Sequence, residues 1–227
     1  MFEGRDVRGD AERAFRVIER GGIAILPLTV AYAIACRTEA AIRKIYETKR
    51  RSFSKVTGIM GTPALQRELH VLDARAQQIV DRLVELDIPI GVIAPYRADH
   101  PHLSTFEPFV LQNAAVGGTM NVLLNVGALF SRMAELSVAE GVPVVGASAN
   151  LSLSPTKFRL EDIEPELRAI ADIALDYGPS THASANGLAS TMIDFSTMRV
   201  QRAGACFERI AGLLEREFGI ALERPPA

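Results

Sequence analysis

Apolar positions along the chain follow two alternating periods, and the switches between them mark out the elements. Ala14, Phe15, Val17 and Ile18 recur at helical spacing, which predicts a helix capped by Asp10 and stopped at Gly21-Gly22. Two short apolar runs follow, Ile23 to Leu26 before Pro27 and Tyr32 to Cys36, and both read as strands. Thr38 caps the next helix, whose Ala41, Ile42, Ile45 and Tyr46 share one face. Val56 to Met60 reads as a strand, with Thr62-Pro63 as the cap and first position of another helix.

The same alternation continues to the C-terminal end. It predicts a helix over about Asp73 to Leu86, a strand at Ile90 to Ala94 and a loop over 95–108. A strand at Thr119 to Val126, a helix over about Ala128 to Glu140 and a buried strand at Val142 to Ala147 come next. A Ser/Pro-rich loop (148–157) leads to a helical stretch at Leu160 to Arg168 and an extended one at Ile173 to Leu175. Residues 178–189 are small and nearly free of charge, which predicts a mobile loop. Thr191 to Phe195 and Met198 to Arg202 pair as strands before a helix over about Cys206 to Phe218. Strands alternating with helices predict an α/β fold with an open mixed sheet covered by helices, and ligands bound beyond strand ends.

Composition narrows the classes. With 227 residues and 48% hydrophobic positions the chain can bury a core, and one domain over 1–227 is the expectation. Cys36 and Cys206 lie in apolar stretches and read as buried free thiols, not as a disulfide framework. The charged N-terminus lacks a signal-peptide pattern, so a cytoplasmic location is expected. Pro108 to Ser131 carries no charge, yet Gln112, Asn113, Asn121 and Asn125 would be costly in hydrocarbon; this is a buried strand and helix start, and no membrane partner is expected. A net charge of −2 creates no general field for nucleic acid.

Three segments carry candidate chemistry. Lys49-Arg50-Arg51-Ser52-Phe53-Ser54-Lys55 concentrates four cations without an acid. Cations gather at helix C-termini, which accounts for Lys49 and Arg50; Lys55 lies beyond the helix, where a phosphate or carboxylate cradle would need it. Ser148-Ala149-Asn150 follows an apolar strand, so its two short polar side chains either hold a ligand or satisfy their own turn. Ser190-Thr191-Met192-Ile193-Asp194, with Arg202-Ala203-Gly204 after it, reads as a capped hairpin or as the far side of the same site. His100 and His102 lack a third ligand of suitable type, so no metal site is expected. Dinucleotide, P-loop and nucleophile-elbow motifs are absent from the sequence.

In this order the segments resemble the YrdC family, the threonylcarbamoyl-AMP synthases of tRNA modification. The resemblance rests on Pro27…Tyr32, Ile45-Tyr46-Glu47-Thr48-Lys49-Arg50-Arg51, Ser148-Ala149-Asn150-Leu151-Ser152, Ser190-Thr191-Met192-Ile193-Asp194 and Arg202-Ala203-Gly204, and spans about residues 12–205. It implies a twisted open mixed sheet flanked by helices, with a concave basic face binding ATP, bicarbonate and threonine or a related amino acid. The implied activity is that of an L-threonylcarbamoyladenylate synthase-like nucleotidyltransferase serving tRNA t6A modification, releasing pyrophosphate, with Mg²⁺. Carried over residue by residue, Lys49 and Arg51 would be catalytic, and Lys55, Ser148, Asn150, Ser190 and Arg202 would bind nucleotide phosphates. Thr29 and Tyr32 would line the acceptor side. The alternative is a diverged paralogue that binds nucleotide or double-stranded RNA without making threonylcarbamoyl-AMP. Departures fall on the acceptor side: two family threonines are Leu28 and Val30, the glycine after the tyrosine is Ala33, and Asn125 stands where an arginine is usual.

Overall fold

The computed structural model describes residues 5–52, 56–184 and 186–225. In chain order it contains α1 (Val7–Glu19), β1 (Ala24–Pro27), β2 (Tyr32–Cys36), α2 (Glu39–Thr48), β3 (Gly58–Met60), α3 (Pro63–Leu69), α4 (Ala74–Glu85) and β4 (Ile90–Pro95). A 3-10 turn (Pro101–Thr105) leads to α5 (Pro108–Ala114), β5 (Ala115–Val116), β6 (Thr119–Leu124), α6 (Ala128–Ala139) and β7 (Val145–Ser148). Then come α7 (Pro165–Ala169), β8 (Ile173–Ala174), β9 (Met192–Asp194), β10 (Arg199–Arg202) and α8 (Phe207–Phe218).

Most elements lie where the apolar periods put them, and the exceptions have local causes. The cap of α1 is Asp6, which accepts the Gly9 N–H, and not Asp10. Asp10 sits inside the first turn, where its carboxylate accepts the Tyr177 hydroxyl at 2.8 Å. The loop expected over 95–108 holds the 3-10 turn, and the uncharged stretch after it opens with α5, started by Pro108. The β5–β6 turn needs positive φ, supplied by Gly117 (61°) and Gly118 (75°). The helix expected from Leu160 shrinks to α7, because Pro165 keeps Glu164 extended and cannot itself continue a helix from upstream. Pairing of β7 starts at Val145, just beyond Pro143. Residues 178–189, expected to be loose, are tied at described points: Ser180 N–H to Phe158, His182 N–H to Thr29 and the Asn186 amide to Ala203.

The strands form one mixed sheet in the order β10-β9-β4-β6-β3-β7-β2-β1-β8, with β5 paired to β6. Side chains alternate between its faces, and the register assigns them. Ile25, Ile34, Cys36, Val145, Ile59, Val122, Val92, Ile193 and Val200 point to one face. There they pack with apolar residues of α2, α3, α4, α5, α7 and α8. Ala33, Ala35, Ser148, Gly146, Gly58, Asn121, Leu123, Gly91, Met192 and Arg202 belong to the other. Among the described residues, only α1 and α6 contribute helical apolar side chains to the core on that side. Unequal cover leaves a hollow over the middle of the sheet, floored by glycines and alanines. Among the described residues no helix is long and apolar enough to cross a membrane.

Candidate functional site

The hollow is an open cavity of about 850 Å3, its mouth included. Its make-up is that of a small-molecule site, a mostly apolar lining with a few convergent polar groups. Leu26, Leu28, Val30, Met60, Leu123, Phe130 and Val144 supply the apolar wall. Arg51, Arg202, Ser148, Ser190 and Asn121 supply the polar side chains, and among the described residues no carboxylate lines it. Two guanidiniums facing one hollow without an acid make it a place for anionic oxygens.

Arg202 is held rigidly. Its Nε donates to the Ser190 carbonyl at 2.8 Å and its Nη2 to the Ser190 hydroxyl at 3.0 Å. Burial, and secondarily the Arg51 charge, push the Arg202 guanidinium down to about 10, still charged at neutral pH. Close approach of backbones makes this contact, and Gly204 permits it: a Cβ there would lie 1.9 Å from the Ala189 carbonyl oxygen. The glycine two residues after the arginine therefore has a steric reason. Arg51 leans from the end of α2, donating to the Val56 carbonyl at 2.8 Å and lying 5.3 Å from the Tyr46 ring.

Lys49 takes a different place from Arg51. It is 1% exposed and lies outside the cavity lining. Its ammonium donates to the backbone carbonyls of Ser148 and Asn150, and its own carbonyl accepts the Ser152 N–H at 2.9 Å. Lys49 thus ties the end of α2 to the loop after β7 and sets where Ser148 stands. Asn150 folds its amide onto the carbonyls of Leu151 and Ser154 and does not line the cavity. Ser190 is buried at the cavity edge, and Lys55 lies outside the described residues.

On the expected acceptor side, Tyr32 reaches the cavity, but its hydroxyl is engaged elsewhere. It donates toward the Asp176 carboxylate and the Gly178 carbonyl, both at 2.9 Å, and accepts the Tyr177 N–H. Thr29 faces a smaller pocket beside Val126, Gly127 and Ser180, with its hydroxyl oxygen enclosed and unpartnered. Leu28 and Val30, by contrast, do line the main cavity. Asn125 sits past β6 at φ 57°, its amide donating to the carbonyls of Leu83 and Ile88; it braces α4 and takes no part in the hollow. Asn121 carries no motif, and reading it as a floor residue needs the pairing of β6 with β3 and β4. Among the described residues no three His, Cys, Asp or Glu side chains cluster for a metal.

Comparison with known proteins resolves the family. The Sua5/YciO/YrdC profile, described as "Telomere recombination", matches residues 16–204. The chain belongs to the Sua5/YciO/YrdC family. The Threonylcarbamoyl-AMP synthase of Xanthomonas campestris pv. campestris (strain B100) is 26% identical over 171 residues, covering 74% of this chain and 85% of that protein. Among solved structures, the hypothetical protein smu.1377c from Streptococcus mutans UA159 superposes with a TM-score of 0.77 at 19% identity, over 94% of this chain and 93% of that one. P. abyssi Sua5 complexed with L-threonine gives 0.73 at 17% identity, over 95% of this chain and 59% of that one. These superpositions establish the Sua5/YciO/YrdC fold for this chain.

Proposed function

We propose that this Sua5/YciO/YrdC chain is a threonylcarbamoyl-AMP synthase-type nucleotidyltransferase acting in tRNA t6A modification. Its cavity would take ATP, bicarbonate and threonine or a related amino acid. The observation that carries the reading is the convergence of Arg51, Arg202, Ser148 and Ser190 on one hollow that no carboxylate lines among the described residues. The name of the Xanthomonas relative supplies the reaction class. In that reaction the amine of the amino acid takes up bicarbonate with loss of water to give a carbamate, the carbamate oxygen attacks the α-phosphorus of ATP, and pyrophosphate leaves. Catalysis of this kind is mostly positioning and charge neutralisation. Arg51 and Arg202 neutralise phosphate oxygens; the Ser190 hydroxyl, already accepting from Arg202, has its own hydrogen free to donate. Lys49 acts as a positioning residue through the Ser148 carbonyl. Among the described residues the cavity lining offers no carboxylate to a Mg²⁺ ion, which would come bound to the ATP phosphates.

The alternative, nucleotide binding without threonine transfer, draws support from the apolar Leu28 and Val30 in the cavity wall. One assay separates the two: pyrophosphate release from magnesium-ATP and bicarbonate, with and without threonine or valine. Amino-acid-dependent release supports the synthase. Equal release with and without either amino acid removes that assignment and leaves the nucleotide-binding paralogue.

A further inference from the structure

The turn that joins β1 to β2 presents an apolar wall to the cavity. Leu28 and Val30, 6% and 1% exposed, line the hollow, and Phe130 of α6 lines it with them. The turn is fixed by its own backbone: the Leu28 N–H donates to the Ala31 carbonyl at 3.0 Å and the Thr29 N–H to the Val126 carbonyl at 2.9 Å. Thr29, between the two apolar residues, faces the other way and lines the smaller pocket beside Val126, where its hydroxyl oxygen is enclosed. The Tyr32 hydroxyl is engaged with Asp176, Gly178 and Tyr177. Among the described residues, this turn therefore offers the hollow no free side-chain hydroxyl, amide or charge. A ligand hydroxyl pressed against such a wall gives up water and gains no partner, which is costly, whereas burying a methyl there is favourable.

We infer that Leu28 and Val30 select the amino acid, and that the cavity takes one with a branched aliphatic side chain, such as valine, in preference to threonine. This rests on the proposed reading of the hollow as a site where ATP meets an amino acid. Phosphates and carboxylate are drawn to Arg51 and Arg202, which leaves the amino-acid side chain to the uncharged wall. Valine and threonine have the same shape and differ by a methyl in place of the hydroxyl. Bulk and charge do not distinguish them; only the hydrogen-bonding capacity of the wall does. A hydrophobic pocket separates such isosteres by about a hundredfold at most.

The test is pyrophosphate release from magnesium-ATP and bicarbonate with valine, threonine or alanine as the added amino acid, in wild type and Val30→Thr. Calorimetric titration with magnesium-ATP and thermal unfolding accompany both proteins. In wild type, kcat/KM should be at least tenfold higher for valine than for threonine. It should also be about tenfold or more above that for alanine, which lacks the methyls that fill the wall. Val30→Thr keeps the shape and adds a hydroxyl, so the valine-to-threonine ratio should fall roughly fivefold, the worth of one neutral hydrogen bond, with ATP affinity unchanged. Threonine or alanine used by wild type as well as valine overturns the inference and leaves the proposed function standing. A Val30→Thr protein that keeps the wild-type ratio but loses ATP affinity puts the turn against the nucleotide base and overturns the inference as well. Wild-type release that no amino acid alters removes the proposed function and this inference together. The wild-type comparison decides the matter even where Val30→Thr fails to fold.

Discussion

Replacing Lys49 by methionine separates a lysine that builds the site from one that touches the ligand. Lys49 is 1% exposed, and its ammonium donates to the carbonyls of Ser148 and Asn150. Methionine preserves most of the stem and its packing while deleting the donors. Each charge-assisted hydrogen bond contributes about 1.5–3 kcal/mol net, and a buried carbonyl left unpaired costs about 1–3 kcal/mol. Against this, the variant no longer dehydrates an ammonium, a saving of several kcal/mol that offsets much of the loss. The balance is a destabilisation of about 2–4 kcal/mol. For a chain of this length it corresponds to a Tm lower by roughly 5–15 °C. Urea unfolding of Lys49→Met, followed by circular dichroism at neutral pH, measures it directly. Arg51→Met, run in parallel, should cost less than Lys49→Met, because it gives up an exposed hydrogen bond to the Val56 carbonyl where the buried Lys49 gives up two. A Lys49→Met protein as stable as wild type would mean that the ammonium does not hold the two carbonyls.

Two further outcomes follow from local geometry. Burial lowers the pKa of His70 from 6.5 to about 4, so the fold holds this imidazole neutral while the unfolded chain protonates it. Its contribution is complete above about pH 6.5 and is lost as pH falls toward 4, about 3 kcal/mol across that window. His70→Gln should flatten the acid limb of a stability-against-pH series, and an unchanged slope would count against a neutral buried His70. Gly204→Ala drives a Cβ to 1.9 Å from the Ala189 carbonyl oxygen, and that backbone cannot swing aside like a side chain. A loss of more than about 2 kcal/mol is expected in denaturant unfolding, with weakened ATP binding as Arg202 leaves Ser190.

Periodicity was enough to read the α/β class, the strand–helix alternation and most helices, since apolar spacing at 3.6 or 2 residues is a local property. Element ends were less legible. Asp6 and Asp10 are both good caps, and only the Gly9 and Tyr177 contacts choose between them. Among the site residues, Arg51, Ser148, Ser190 and Arg202 stood in recognisable segments and line one cavity. The burial of Lys49 could not be read, because it depends on carbonyls about a hundred residues away. Asn121 was invisible for a related reason: a strand residue faces a cavity or a core according to its partners' register, and β3, β4 and β6 meet only in the folded sheet.

On the proposed reading, phosphates bind in the Arg51–Arg202 hollow. Titration of magnesium-ATP into wild type and Arg202→Met, with unfolding curves to verify that both are folded, tests it most directly. Wild type should bind saturably, with an affinity at least tenfold weaker in the variant, as expected when one cation is removed from a phosphate site. Equal affinity in the two proteins would contradict it.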